Sequence, residues 1–185
     1  MNQLPAPSTA AAATAVHGVA TPPTAVSGSS GKPDLQLLVS AIASSSGEDA
    51  LLNALTPAQW EVLAAYTQPV QLAASAVLFE QGALDRTLYF VEHGSLSAHF
   101  EDDKQRLRLA IIGAGSVVGE GAFFSHRPRS ATVQAGTASK LWMLTPVRFT
   151  ELSNRQPAIA LGVTLAIGAV LAKRLVHRRR RVAAT

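Results

Sequence analysis

The residues able to do chemistry cluster in one stretch, Gly119-Glu120-Gly121-Ala122-Phe123-Phe124-Ser125-His126-Arg127-Pro128-Arg129-Ser130-Ala131-Thr132-Val133. A glycine turn lets backbone N–H groups approach a ligand. A carboxylate sits in that turn, and an arginine followed by a hydroxyl stands just beyond a proline. Backbone donors at the start of a short helix, joined by a guanidinium, make an anion site suited to phosphate. A phosphate alone would repel Glu120, so the carboxylate calls for a ligand that also offers hydroxyls. A sugar phosphate meets both requirements. The alternative is that Arg129 and Glu120 pair with each other in a turn that binds nothing.

Composition narrows the field. A chain of 185 residues suggests one domain with appendages. There is no cysteine, so neither disulfides nor thiolate chemistry is available. His17, His93, His99, His126 and His177 are scattered without helical pairing, and no metal site or cofactor is expected. Ser125 and Ser130 have no His–Asp partners implied by any motif, and His126 reads as an exposed loop residue, so no enzyme is expected. The formal net charge is +4, but Lys173, Arg174 and Arg178 to Arg181 hold six of the 16 basic residues, leaving 10 against 12 acidic ones. The body is mildly acidic and only the C-terminal tail is basic.

The elements that must position the site follow from periodicity. Residues 1–33 are rich in Ala, Thr, Pro, Ser and Gly without apolar periodicity, which predicts a disordered tail. Prolines and the lack of a leading positive charge argue against a secretory leader. Residues 34–67 read as N-terminal helices. Leu35, Leu38, Val39 and Ile42 share one face, and Thr56-Pro57-Ala58-Gln59 carries an N-cap, a first-turn proline and a capping-box Gln ahead of the buried stripe Trp60, Leu63 and Ala64.

Over residues 68–145 the period becomes two: Val70/Leu72, Val77/Phe79, Leu88/Phe90, Leu96/Ala98/Phe100 and Leu107/Leu109/Ile111, punctuated by Gly82, Gly94 and Asp102-Asp103. Short strands at this spacing predict an antiparallel sandwich or barrel. Residues 146–177 read as helices, starting at Thr145-Pro146 and at Pro157, and 178–185 as a basic tail. Ala158 to Ala172 carries no charge. A transmembrane span needs about 20 apolar residues, and this run is short and rich in Ala, so no span is expected.

The central stretch resembles the phosphate-binding cassette of cyclic-nucleotide-binding domains, Gly-Glu-(Leu)-Ala, a variable insert, then Pro-Arg-(Ser/Ala/Thr)-Ala-(Thr/Ser)-Val. Gly82 to Asp85 before Leu88-Tyr89-Phe90-Val91, the His93-Gly94-Ser95-Leu96 hairpin and Ile112-Gly113-Ala114-Gly115 are similar to the family's turns and strands. The likeness runs from about Leu55 to Leu175. It implies a mainly β fold with flanking α: an antiparallel β-roll of jelly-roll type with N-terminal helices and a C-terminal dimerisation-type helix. It also implies a cyclic mononucleotide ligand, cAMP or cGMP.

In that reading Arg129 holds the cyclic phosphate and Glu120 the ribose 2′-hydroxyl. Gly119, Gly121, Ala122, Ser130 and Ala131 complete the shell, and Val117, Val118, Arg174 and Arg178 are candidate base contacts. Gly121 departs from the family's apolar residue, which removes a packing contact. Ala172-Lys173-Arg174-Leu175 resembles the dimer helix of the catabolite-activator branch, where a Thr-Ser pair follows; Arg178 and Arg179 stand there instead. The resemblance implies a homodimer, with output to an effector protein or through dimer rearrangement; with neither anchor nor secretion signal expected, the cytoplasm is the expected location. A DNA-binding regulator of the same family and a ligand-free assembly module are the alternatives. The former would carry a helix-turn-helix after the dimer helix, and with the chain stopping at Thr185 nucleic-acid binding is not expected.

Overall fold

The computed structural model describes residues 34–47, 49–101 and 107–183. The tail expected to be disordered lies outside these residues, as does the Asp102-Asp103 turn. Two helices, α1 (Gln36–Ser44) and α2 (Pro57–Ala64), precede β1 (Gln68–Leu72), β2 (Val77–Phe79), β3 (Leu88–His93), β4 (Ser95–Glu101), β5 (Leu107–Gly113) and β6 (Val117–Val118). Then come α3 (Glu120–Ser125), β7 (Thr132–Ala135), β8 (Ser139–Leu144), α4 (Pro146–Arg155) and α5 (Pro157–Ala183). The strands form two four-stranded antiparallel sheets, ordered β1-β8-β3-β6 and β2-β7-β4-β5. This is the antiparallel sandwich with flanking helices that the residue pattern predicts, in the β-roll form that the resemblance implies.

Two of the three predicted helix starts, those at Thr56 and Thr145, carry side-chain caps. Thr56 Oγ1 accepts from Gln59 N while Gln59 Oε1 accepts from Thr56 N, a complete capping box. Thr145 Oγ1 likewise accepts from Arg148 N ahead of Pro146.

The central strands of the first sheet are apolar on both faces, while the edge strand β1 leaves Gln68 and Gln71 exposed. Tyr89, Val91, Val118 and Leu141 point toward the second sheet, where they meet Leu78, Leu96, Ile112 and Val133. Leu88, Phe90, Val117, Trp142 and Leu144 point the other way, into a helical core with Leu38, Ile42, Trp60, Leu63, Leu152, Ile159, Val163, Ile167 and Val170. Hence β3 is apolar at consecutive positions rather than alternating, as a strand with no solvent face requires.

One strand sits in the opposite phase to the sequence expectation and another does so in part. In β2, Leu78 is buried at 4% exposure and Val77 is 38% exposed, while Phe79, beyond a register shift, packs against the core as expected. In β5, Leu109 and Ile111 are 52% and 67% exposed while Ile112, opposite Leu96, is buried. Where both parities of a strand are apolar, pairing with the neighbouring strand decides which set faces the core.

By length and composition Pro157–Val176 of α5 is apolar enough to cross a membrane, with a mean hydropathy of 1.9. Ile159, Ala160, Val163, Ala166, Ile167 and Val170 of this helix are buried in the chain's own core. The helix continues through the basic run to Ala183.

Candidate ligand site

The chain leaves β6 at Gly119, whose φ is +87°. A Cβ at this position would lie 2.4 Å from Arg129 Nη1 and 2.6 Å from the Thr87 carbonyl oxygen, so both the left-handed backbone and the space demand glycine. α3 follows and ends at His126, itself left-handed at φ +59°, whose N–H bonds back to Ala122 O at 3.1 Å.

The return segment is then pinned to the turn before β3. Arg129 N donates to Ala83 O and Gly82 N donates to Arg129 O, each at 2.8 Å. This two-way clamp fixes where the arginine side chain begins.

Arg129 is 2% exposed. Its Nη2 bonds the Asp85 carboxylate and, at 2.8 Å, the Thr87 carbonyl; its Nη1 donates to Gly119 O at 3.2 Å. The guanidinium lies 3.9 Å over the Phe79 ring, which in turn stacks on Tyr89 at 6.1 Å. The buried Nε has no hydrogen-bond partner among the described residues. Burial would raise the Asp85 carboxyl pKa, but bonds from Thr87 and Arg129 outweigh burial and hold it below its ordinary value. Burial, with the Asp85 charge beside it, pushes the Tyr89 phenol up to about 12.

Glu120 does not pair with Arg129. Its Oε1 accepts from Arg174 Nη1 of α5 at 2.5 Å. Arg174 Nε donates to Asp49 Oδ2 at 3.0 Å, and its Nη2 donates to Val117 O at 3.0 Å and Ser116 Oγ at 3.3 Å. Burial would weaken this cation, yet the facing Glu120 and Asp49 carboxylates outweigh it and raise its pKa.

A cavity of about 90 Å³ joins the two groups, lined by Phe79, Ala98, Val118, Gly119, Glu120, Gly121, Ala122, Arg129, Ser130, Ala131, Val133 and Arg174. All the residues expected to form the sugar and phosphate shell meet there. Of the candidate base contacts, Val118 and Arg174 line it. Val117 turns its side chain into the helical core and contributes only its carbonyl, and the Arg178 side chain lies outside the described residues.

Asp85, Thr87, Phe79 and Asp49 were not singled out by the sequence. Asp85 closes a turn read only as a fold feature, 44 residues from its arginine, and Asp49 carries no motif. A larger groove of about 550 Å³ between α1 and α2, bordered by Leu35, Val39, Asn53, Leu55 and Trp60, contains none of the expected ligand residues. Among the described residues no three His, Asp or Glu side chains are grouped to hold a metal ion.

Residues 69–156 match the family described as the cyclic nucleotide-binding domain. A cAMP-dependent protein kinase type II regulatory subunit from Drosophila melanogaster is 34% identical over 76 residues, 40% of this chain and 20% of that protein, so the matching segment spans about a fifth of the relative's length. The N-terminal domain of a transcriptional regulator from Streptomyces coelicolor A3(2) superposes with a TM-score of 0.58 at 30% identity, over 67% of this chain and 89% of that one. A cyclic nucleotide-binding domain from Methylobacillus flagellatus KT superposes with a TM-score of 0.71 over 81% of this chain and 83% of its own; at 17% identity that is a likeness of fold.

Proposed function

Because the chain belongs to the cyclic nucleotide-binding domain family, we propose that it is a sensor of a cyclic mononucleotide, cAMP or cGMP, whose phosphate is taken by Arg129 and whose ribose 2′-hydroxyl is taken by Glu120. One observation carries this reading: Arg129, buried and with an unpartnered Nε, and Glu120 line the same cavity. A guanidinium and a carboxylate on one hollow suit a ligand with an anionic end and a hydroxyl end. Backbone N–H groups near Ala122 and Ser130, with the Ser130 hydroxyl, complete the shell on this reading. The protein's role on this reading is recognition and signalling rather than catalysis.

The cavity is smaller than the roughly 300 Å³ at which small-molecule sites begin. A nucleotide therefore has to displace Arg174, which couples binding to the position of α5. Ligand moves that helix only through different affinity for its two positions.

Output passes through a second copy or an effector protein. On α5, Leu161, Leu165, Gly168, Ala172 and Leu175 are exposed at alternating spacings of four and three, the seam of a two-helix coiled coil. We assign the homodimer to this face, read the apolar stretch of α5 as a packed and pairing helix rather than a membrane span, and place the protein in the cytoplasm. A second reading, an assembly module without ligand, is favoured by one fact: both Arg129 and Glu120 already have ion-pair partners within the chain.

Thermal unfolding with cAMP, cGMP or a cyclic dinucleotide separates the readings. A hundredfold excess over Kd adds about 2.7 kcal/mol to stability. A shift with a mononucleotide supports the sensor, whereas none with any of the three at millimolar concentration leaves the assembly module.

A further inference from the structure

Asp49 lies outside the cassette, in the connection between α1 and α2, yet it reaches the site. Ser116 Oγ donates to Asp49 O at 2.7 Å, Leu51 N donates to Gly115 O at 2.9 Å, and Gly115 N donates to Val91 O at 2.8 Å. Lys173 Nζ also donates to Ala50 O at 3.4 Å. The backbone around Asp49 is thus sewn both to the turn that leads into β6 and to α5. The carboxylate stands in a fixed place instead of hanging from a loose loop.

The bond from Arg174 Nε to Asp49 Oδ2 fixes the plane of the guanidinium, and that plane aims Nη1 at Glu120 and Nη2 at Val117 O. The side chain of Asp49 is 31% exposed and that of Glu120 is 12%, so the arginine spans from the rim to the inner carboxylate. A planar fork held at one edge presents its other edge in a set direction, which a flexible ammonium would not do.

We propose that Asp49 is an affinity-setting positioning residue for the nucleotide site, holding Arg174 across Glu120 so that a ligand's ribose hydroxyl must displace the arginine to bind. This rests on the ligand reading above. The apparent affinity is the intrinsic affinity multiplied by the fraction of molecules in which Glu120 is free. Asp49 lowers that fraction. It also ties ligand binding to the α1–α2 connection, since the arginine that the ligand displaces is shared with that segment.

The test is calorimetric titration of cAMP and cGMP into the full chain, wild type against Asp49→Asn, repeated in an Arg174→Met background. The expected result is binding three- to tenfold tighter in Asp49→Asn, the scale of a partly exposed ion pair, and no effect of Asp49→Asn when Arg174 is Met. An unchanged Kd overturns the proposal. So does tightening that persists without Arg174, because the residue then acts only as a negative charge near an anion.

Amide hydrogen exchange over residues 170–176 without nucleotide reads the latch separately: Asp49→Asn speeds exchange if Asp49 holds Arg174, and unchanged exchange overturns it. A wild-type chain that takes neither nucleotide fails the ligand reading while this exchange comparison still decides the latch.

Discussion

Arg174 donates Nη1 to Glu120 Oε1 at 2.5 Å across 54 residues of chain, joining the last helix to the carboxylate that begins α3. The buried arginine of the cassette, Arg129, is paired separately with Asp85. The two chemically unlike ends of the site are therefore kept apart, each with its own counter-ion, and neither neutralises the other. This separation lets one hollow offer a cation at one side and a carboxylate at the other.

Two glycines in the cassette, two positions apart, are expected to respond oppositely to alanine. Gly119 has φ +87° and no room for a Cβ, so Gly119→Ala costs about 1–3 kcal/mol and disturbs Arg129. At Gly121 a Cβ meets nothing within 4 Å and the residue lies in a helix, so Gly121→Ala stabilises by about 0.5–1 kcal/mol. Urea midpoints of the two variants check both signs; equal shifts would contradict the local geometry.

Asp85 should leave a mark on acid stability. Its folded-state pKa lies below the ordinary 3.8, so on acidification the unfolded chain takes up the proton first. The stabilisation from this group is complete above about pH 4 and is lost as pH falls through the lower folded value. Wild type is thus expected to exceed Asp85→Asn in stability at pH 6, with the two curves converging below pH 4. A gap that stays constant down to pH 2.5 would mean the Arg129–Asp85 pair does not titrate as described.

The exposed seam of α5 predicts its own disruption. Leu165 is 62% exposed in the middle of the seam, so Leu165→Glu places like charges face to face in a paired helix. Sedimentation velocity should show a dimer for wild type and a monomer for the variant, with the thermal midpoint of the monomer retained because Leu165 is not part of the core. A wild-type monomer at micromolar concentration would remove the dimer from the account.

Much of this was readable in the residues, and the parts that were not have physical causes. Thr56, Pro57 and Gln59 announce their helix because capping is local chemistry. That Gly119, Glu120 and Arg129 meet at one cavity was legible because turn, carboxylate and guanidinium fall within one short stretch. The phase of β5 could not be read from Leu107, Leu109 and Ile111, since Ile112 offers an apolar residue of the other parity and only the pairing with Leu96 chooses between them. Asp85 and Asp49 escaped because their roles arise from contacts 44 and 125 residues distant, which no periodicity records.

The most direct measurement is calorimetric titration of cAMP, cGMP and their 2′-deoxy analogues into wild type, Glu120→Gln and Arg129→Lys. The account predicts that wild type binds at least one ribonucleotide, that Arg129→Lys binds at least tenfold more weakly because its ammonium cannot replace the planar fork, and that removing the 2′-hydroxyl weakens wild type but barely affects Glu120→Gln. A wild type that binds but does not distinguish ribose from deoxyribose, or an Arg129→Lys variant with unchanged affinity, would contradict the claim that these two side chains grip opposite ends of one ligand.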